Sequence, residues 1–198
     1  MENVVPFTRN REATYIYKEQ VLPINADDDY KCIPVLVERL ADEFFGALKL
    51  HSKVLALRID IHTHTPGLKN TAIEGLLRWL KQDLNRNYRM KNIGHMWVRE
   101  YGERKKTHWH LVLLLDGNKV QDSWSVVNKI KCYWEEKKQY GLVKPVKNPY
   151  IKIIRGDTDS FNEAFYRSSY LTKERSKNIG CERTYGSSRL YNKCSSRL

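Results

Sequence analysis

"EYGERKKTHWHLVLLLDG" (residues 100–117) sets a carboxylate, a basic loop, two histidines one residue apart and the apolar run Leu111 to Leu115 in one stretch. On a strand, residues two apart point the same way, so His108 and His110 share a face. The segments "IGHMWVREY" (93–101) and "THWHLVLLL" (107–115) are joined by the Gly-containing link 102–106, which reads as an antiparallel hairpin. Glu100, on the first of these strands, then falls opposite or diagonal to the histidine pair. Two imidazoles and a carboxylate are a reasonable ligand set for a divalent metal, with further positions left for substrate oxygens. A lone H-x-H also arises by chance at a sheet edge, but Glu100 and the neighbouring basic loop favour the metal site.

Working outward, residues 1–30 read as polar and irregular, ending in the acidic run Asp27-Asp28-Asp29 at a helix entry. "PVLVERLADEFFGALKL" (34–50) carries Leu36, Leu40, Phe44 and Leu48 at helical spacing. "KVLALRIDIHTH" (53–64) alternates as a strand does and is stopped by Thr65-Pro66-Gly67. It ends in a second H-x-H, His62 and His64 after Asp60. No apolar run follows these histidines, so they read as surface residues, with Asp60 or His62 as possible supporting ligands. Thr71 to Met90 is helical, with Ile73, Leu76, Leu77, Leu80 and Leu84 on one stripe. After the hairpin, the pattern predicts a helix over 124–140, a strand over 149–156 and a helix over 160–177. Between Lys173 and Leu198 seven Lys or Arg stand against two Glu, a net of +5, without periodicity, and a flexible basic tail is expected over 179–198. The order β-α-β-β-α-β-α describes an α+β fold, a split βαβ sandwich in which helices pack on one face of an antiparallel sheet. Trp97, Trp109, Trp124 and Trp134 are expected in the core.

Composition narrows the function classes. The 198 residues suffice for one domain with a substantial core. Hydrophobic residues make up 41% and charged residues 29%, which excludes a disordered chain. Thirty-five Lys and Arg against 23 Asp and Glu leave +12, which suits a polyanionic partner. The four cysteines form no C-x-x-C pair, so neither a zinc ribbon nor a compact disulfide framework is expected, and a reducing, cytoplasmic setting is. No apolar run approaches the roughly 18 residues of a membrane span.

In "FNEAFYRSSYLTK" (161–173) helical spacing puts Phe161, Ala164, Phe165, Ser168 and Leu171 on one side, and Tyr166, Tyr170 and Lys173 on the other. The first set already supplies a buried face, so the second faces solvent or a substrate. A tyrosine hydroxyl, with a pKa of about 10, is a weak nucleophile unless a metal or cation stabilises the developing charge. Lys173 has the spacing to be that cation.

These pieces together resemble the HUH endonucleases: rolling-circle replication initiators, relaxases and related transposases. "VLALRIDIH" is similar to their first motif, "HWHLVLLL" to the second and "YLTK" to the third. The match covers residues 53–177 and is nearest to initiators of filamentous phages and prophages. The resemblance implies an HUH nuclease domain over 51–178, preceded by an N-terminal extension with a helix over 1–50. It implies Mg²⁺ or Mn²⁺ held by His108, His110 and Glu100, and Tyr170 as nucleophile on single-stranded DNA, giving a 5′-phosphotyrosine and a free 3′-OH. Tyr166 would serve a second cleavage, as in paired-tyrosine initiators. Host helicase and polymerase would complete replication in the bacterial cytoplasm. Arg104, Lys105 and Lys106, beside the metal, would contact the DNA backbone. The rivals are a relaxase or transposase of the same chemistry, and a non-catalytic nucleic-acid-binding module with structural histidines. A cupin is disfavoured, because Leu114 and Leu115 stand where its glutamate belongs.

Overall fold

The computed structural model describes residues 13–26, 31–101, 106–174 and 183–195. At its centre is a five-stranded antiparallel sheet. Its strands are β3 (Lys53–Pro66), β4 (Gly94–Tyr101), β5 (Lys106–Asp116), β6 (Gly141–Ile154) and β7 (Tyr185–Ser187), in the order β6-β3-β5-β4-β7. Helix α2 (Thr71–Tyr88) connects β3 to β4 across β5. Helix α3 (Trp124–Lys131), continued by a π-helical stretch (Cys132–Lys137), connects β5 to β6 across β3. Each crossover thus skips an intervening antiparallel strand, which is the expected split βαβ arrangement.

Strand alternation divides the sheet into two faces. Leu55, Leu57, Ile59 and Ile61 on β3 and Trp109, Leu111, Leu113 and Leu115 on β5 pack against the α2 stripe and against Val126, Val127 and Ile130 of α3. Full burial of each such aliphatic side chain is worth roughly 1.5–3 kcal/mol. Both crossover helices lie on this face. Even-numbered residues point the other way: Val54, Ala56, Val112, Leu114, Met96 and Val98 meet α1 (Pro34–Leu50) and α4 (Thr158–Ser169). Helices therefore cover this second face in part, in addition to the face expected.

Several expectations need correction. Residues 14–23 are not irregular but form a hairpin, β1 (Thr14–Tyr17) paired with β2 (Gln20–Pro23). Its turn residues Lys18 and Glu19 both have positive φ, a conformation usually signalled by Asn-Gly, so the sequence carries no turn marker. The helix expected in the N-terminal extension is α1, and it packs into the core. Phe44 of α1 makes edge contacts with Phe161 and Phe165 of α4 inside the shared core.

The expected flexible tail is ordered over 183–195, as β7 and α5 (Leu190–Ser195). Gly186 lies so close to Trp97 that a Cβ would come within 2.6 Å of the indole, and buried Glu43 of α1 accepts hydrogen bonds from Ser188 Oγ and the Leu190 N–H. The predicted 124–140 helix becomes α3 plus the π-helical stretch, and the last strand is longer than expected, spanning Gly141–Ile154. Trp97, Trp109 and Trp134 are buried as expected, but Trp124 is 75% exposed. It starts α3, its N–H bonded to Asp122, while Val126, Val127 and Ile130 take the inward stripe. Among the described residues no helix is long and apolar enough to cross a membrane.

Candidate functional site

Towards one end of the sheet the even-numbered face changes from apolar to polar. On β3 the series Val54, Ala56 gives way to Arg58, Asp60 and His62; on β5, Leu114 and Val112 give way to His110 and His108. Register places His62 opposite His108, Asp60 opposite His110, and Glu100 of β4 opposite His108. The hairpin reading of 93–115 and the shared face of His108, His110 and Glu100 therefore hold.

His110 is the buried centre of the group. Its Nδ1 lies 2.6 Å from Asp60 Oδ1 and its Nε2 lies 3.0 Å from Glu100 Oε2. Burial disfavours its charge, but the hydrogen bonds to Asp60 and Glu100 outweigh that and push it up to about 9. Burial would likewise raise Asp60, yet the His110 hydrogen bond, with the charges of His110 and Arg58, holds it below the ordinary carboxylate value. His62 and His108 lie ring to ring, centroids 4.2 Å apart. Burial, then the charges of His108 and Lys144, push His62 down to about 4. Burial, then the charge of His110, lowers His108.

The tyrosine comes from the end of α4. That helix stops at Ser169, earlier than the 177 expected, and tightens into a 3-10 turn, Tyr170–Thr172. Ser169 Oγ donates to Tyr166 O and Thr172 Oγ1 to Ser169 O, side-chain bonds that compete with the helical ladder. Backbone bonds from Ile33 N to Thr172 O and from Glu174 N to Lys31 O then draw the chain into an extended bridge. The turn leaves the Tyr170 ring edge-on to His110, centroids 5.8 Å apart. Lys173 Nζ lies 5.4 Å from the centroid of that ring. Tyr166, one turn earlier, is half-buried on α4.

Arg58, which the sequence reading passed over, places its guanidinium carbon 4.1 Å from the Tyr170 ring centroid. Its position two residues before Asp60 on an alternating strand was the available signal. Asp60 serves as the partner that orients His110, and His62 as the ring packed on His108. Arg104 and Lys105 lie outside the described residues, and of Lys106 only the backbone, at the start of β5, is described.

For a divalent ion, the donor chemistry of His108, His110 and Glu100 fits: two imidazoles and a carboxylate on one face, with His110 oriented from behind by a carboxylate, as metal-bound histidines usually are. The donors are not gathered as a cage, however. His110 Nε2 is engaged by Glu100, and among the described residues no group of three His, Cys, Asp or Glu side chains converges on a common ion position.

Fold and site together define an α+β domain in which a histidine–carboxylate cluster on an antiparallel sheet meets a tyrosine from a helix end. Residues 24–188, most of the chain, match the family described as YagK/YfjJ C-terminal domain, and the protein belongs to that family. No curated protein and no solved structure gives a significant match.

Proposed function

We propose that this protein nicks and rejoins single-stranded DNA by tyrosine transesterification, and that it does so to initiate rolling-circle replication of a phage or prophage element. The observation that carries the reading is the contact of the Tyr170 ring with His110, inside a cluster that also holds Glu100, Asp60 and His108. The three sequence motifs that resemble HUH endonucleases thereby meet at one place.

Tyr170 is the nucleophile, and Lys173 and Arg58 supply positive charge beside its ring. Asp60 fixes the orientation of His110. His108, His110 and Glu100 would hold Mg²⁺ or Mn²⁺, which when bound supplies Lewis-acid stabilisation of the scissile phosphate. The product, a 5′-phosphotyrosine, keeps the energy of the broken phosphodiester, so rejoining by a 3′-OH needs no ATP. Tyr166 would take the second strand transfer.

The second reading, a binding module without chemistry, is favoured by one feature: His110 already has both ring nitrogens satisfied by Asp60 and Glu100. Incubation with a pool of single-stranded oligonucleotides and Mn²⁺, followed by denaturing electrophoresis, separates the two. The nuclease gives a denaturation-resistant adduct that EDTA prevents. Tyr170→Phe abolishes it while DNA affinity stays within about threefold, since the lost hydroxyl is one polar contact among many backbone contacts. Undiminished adduct in Tyr170→Phe, or none in the wild type across the pool, overturns the proposal.

A further inference from the structure

Arg58 occupies an unusual place for a strand arginine. Its Nε is buried without a hydrogen-bond partner, and Nη2 is 3.9 Å from Asp60 Oδ1, the outer limit of an ion pair. A guanidinium has five N–H donors, and a buried one ordinarily spends them on carboxylates or carbonyls. Here much of that capacity is unspent, and the plane lies over the ring of Tyr170.

The surroundings open toward it. Between the pairs Leu57–Tyr150 and Ile59–Pro145, β3 has one residue, Arg58, and β6 has the four residues 146–149. This bulge frames a narrow recess of about 10 Å³, room for about one water, lined by Ala56, Arg58, Asn148, Tyr150 and Arg167. Arg167 holds the bulge in place by donating to the carbonyls of Lys147 and Asn148. Arg58 thus sets unspent donors beside the phenol, with Arg167 across the bulge, and a guanidinium fork so placed suits a singly charged phosphodiester brought to that phenol.

We propose that Arg58 is a catalytic residue that binds the scissile phosphodiester and stabilises the charge that builds on it as Tyr170 attacks. The inference rests on the nicking reading and adds to it a substrate-contacting cation outside the three motifs. In the step, the Tyr170 Oη–P bond forms as the P–O3′ bond breaks. The phenolic proton passes through water to the departing 3′ oxygen, which leaves as a hydroxyl. A diester of charge −1 becomes another of charge −1, and Arg58 acts on the extra charge present only between them.

The test uses the full chain, an oligonucleotide that gives the adduct, Mn²⁺ and single-turnover conditions. Arg58→Gln should slow adduct formation about 100-fold, the usual cost of one lost transition-state donor, with DNA affinity within a few-fold of wild type. Arg58→Lys, which keeps charge but not the fork, should fall between. In Arg58→Ala, added guanidinium should restore the rate at least about tenfold, which a packing role does not allow. A wild-type rate in Arg58→Gln overturns the assignment and leaves the nicking reading standing. So does an Arg58→Ala variant that melts early and that guanidinium does not rescue. A wild type that never forms the adduct removes the nicking reading, and this assignment with it.

Discussion

Asp60 and Glu100 grip His110 from its two ring nitrogens, while His62 and His108 pack ring against tilted ring beside it without such support. The consequence is opposite pH behaviour within one cluster. His110 titrates at about 9 in the fold against about 6.5 when unfolded, so its contribution is full below 6.5 and is lost as pH rises through 9. That difference corresponds to about 3 kcal/mol. His62 is lowered to about 4, so its effect runs the other way: the fold loses stability as pH falls from about 6.5 toward 4. Thermal melts of EDTA-treated protein from pH 4 to 9 should peak near neutrality. His110→Gln should flatten the alkaline limb. An unchanged alkaline limb in that variant would show that His110 is not held as a cation. The alternation of 53–64 and 107–115 made each half of this cluster legible, His108 with His110 and Asp60 with His62, but only the β3–β5 register, which parity does not give, brings the two halves to one face. Arg58 shares the parity, but only the position of Tyr170, more than a hundred residues away in the chain, gives it a role.

Among the elements, the helices and strands with strong periodicity were legible and their ends were not. The α2 stripe and the central strands follow from 3.6- and 2-residue patterns. The stop of α4 at Ser169 rests on the Ser169 and Thr172 side-chain bonds, which are local, and on backbone bonds to Lys31 and Ile33, which are not; the β1–β2 turn rests on two non-glycine residues at positive φ and leaves no local signature. The C-terminal segment was misread for a related reason. Its net charge suggests a solvated tail, yet it is held by the pairing of β7 with β4, by buried Glu43, and by the close approach permitted at Gly186 and Gly46. A Cβ on Gly46 would lie 2.7 Å from the Tyr191 nitrogen. Glu43→Ala should therefore cost about 1–3 kcal/mol by leaving the Leu190 N–H unsatisfied. Gly46→Val should cost a similar amount by overpacking. In both variants hydrogen exchange should accelerate over 185–195 before it does in β3 or β5; uniform exchange across the molecule would refute the separate docking of this segment.

On the scale of the whole molecule, composition indicated a basic partner surface, and the fold gathers part of that charge around the cluster: Arg58, Lys144, Arg167 and Lys173. If single-stranded DNA crosses this region, about four phosphates are neutralised there. A plot of log affinity against log salt should then have a slope near −3, at about −0.7 per phosphate. A slope near zero would deny the DNA path. The α+β class and split βαβ order were readable because both sheet faces are written in alternating residues. The covering of the second face by α1 and α4 was not, since it arises from contacts between distant parts of the chain.

The backbone bridge between Lys31–Ile33 and Thr172–Glu174 has a further consequence. Asn25 N also donates to Ser169 Oγ, so the turn bearing Tyr170 is braced from the far end of the chain. During synthesis the histidine strands are made before residues 169–174, and the bonds from Asn25, Lys31 and Ile33 cannot form until that turn exists. The meeting of Tyr170 with His110 therefore needs both the 25–33 and the 169–174 segments in place, and a chain cut short before residue 169 would lack the phenol altogether.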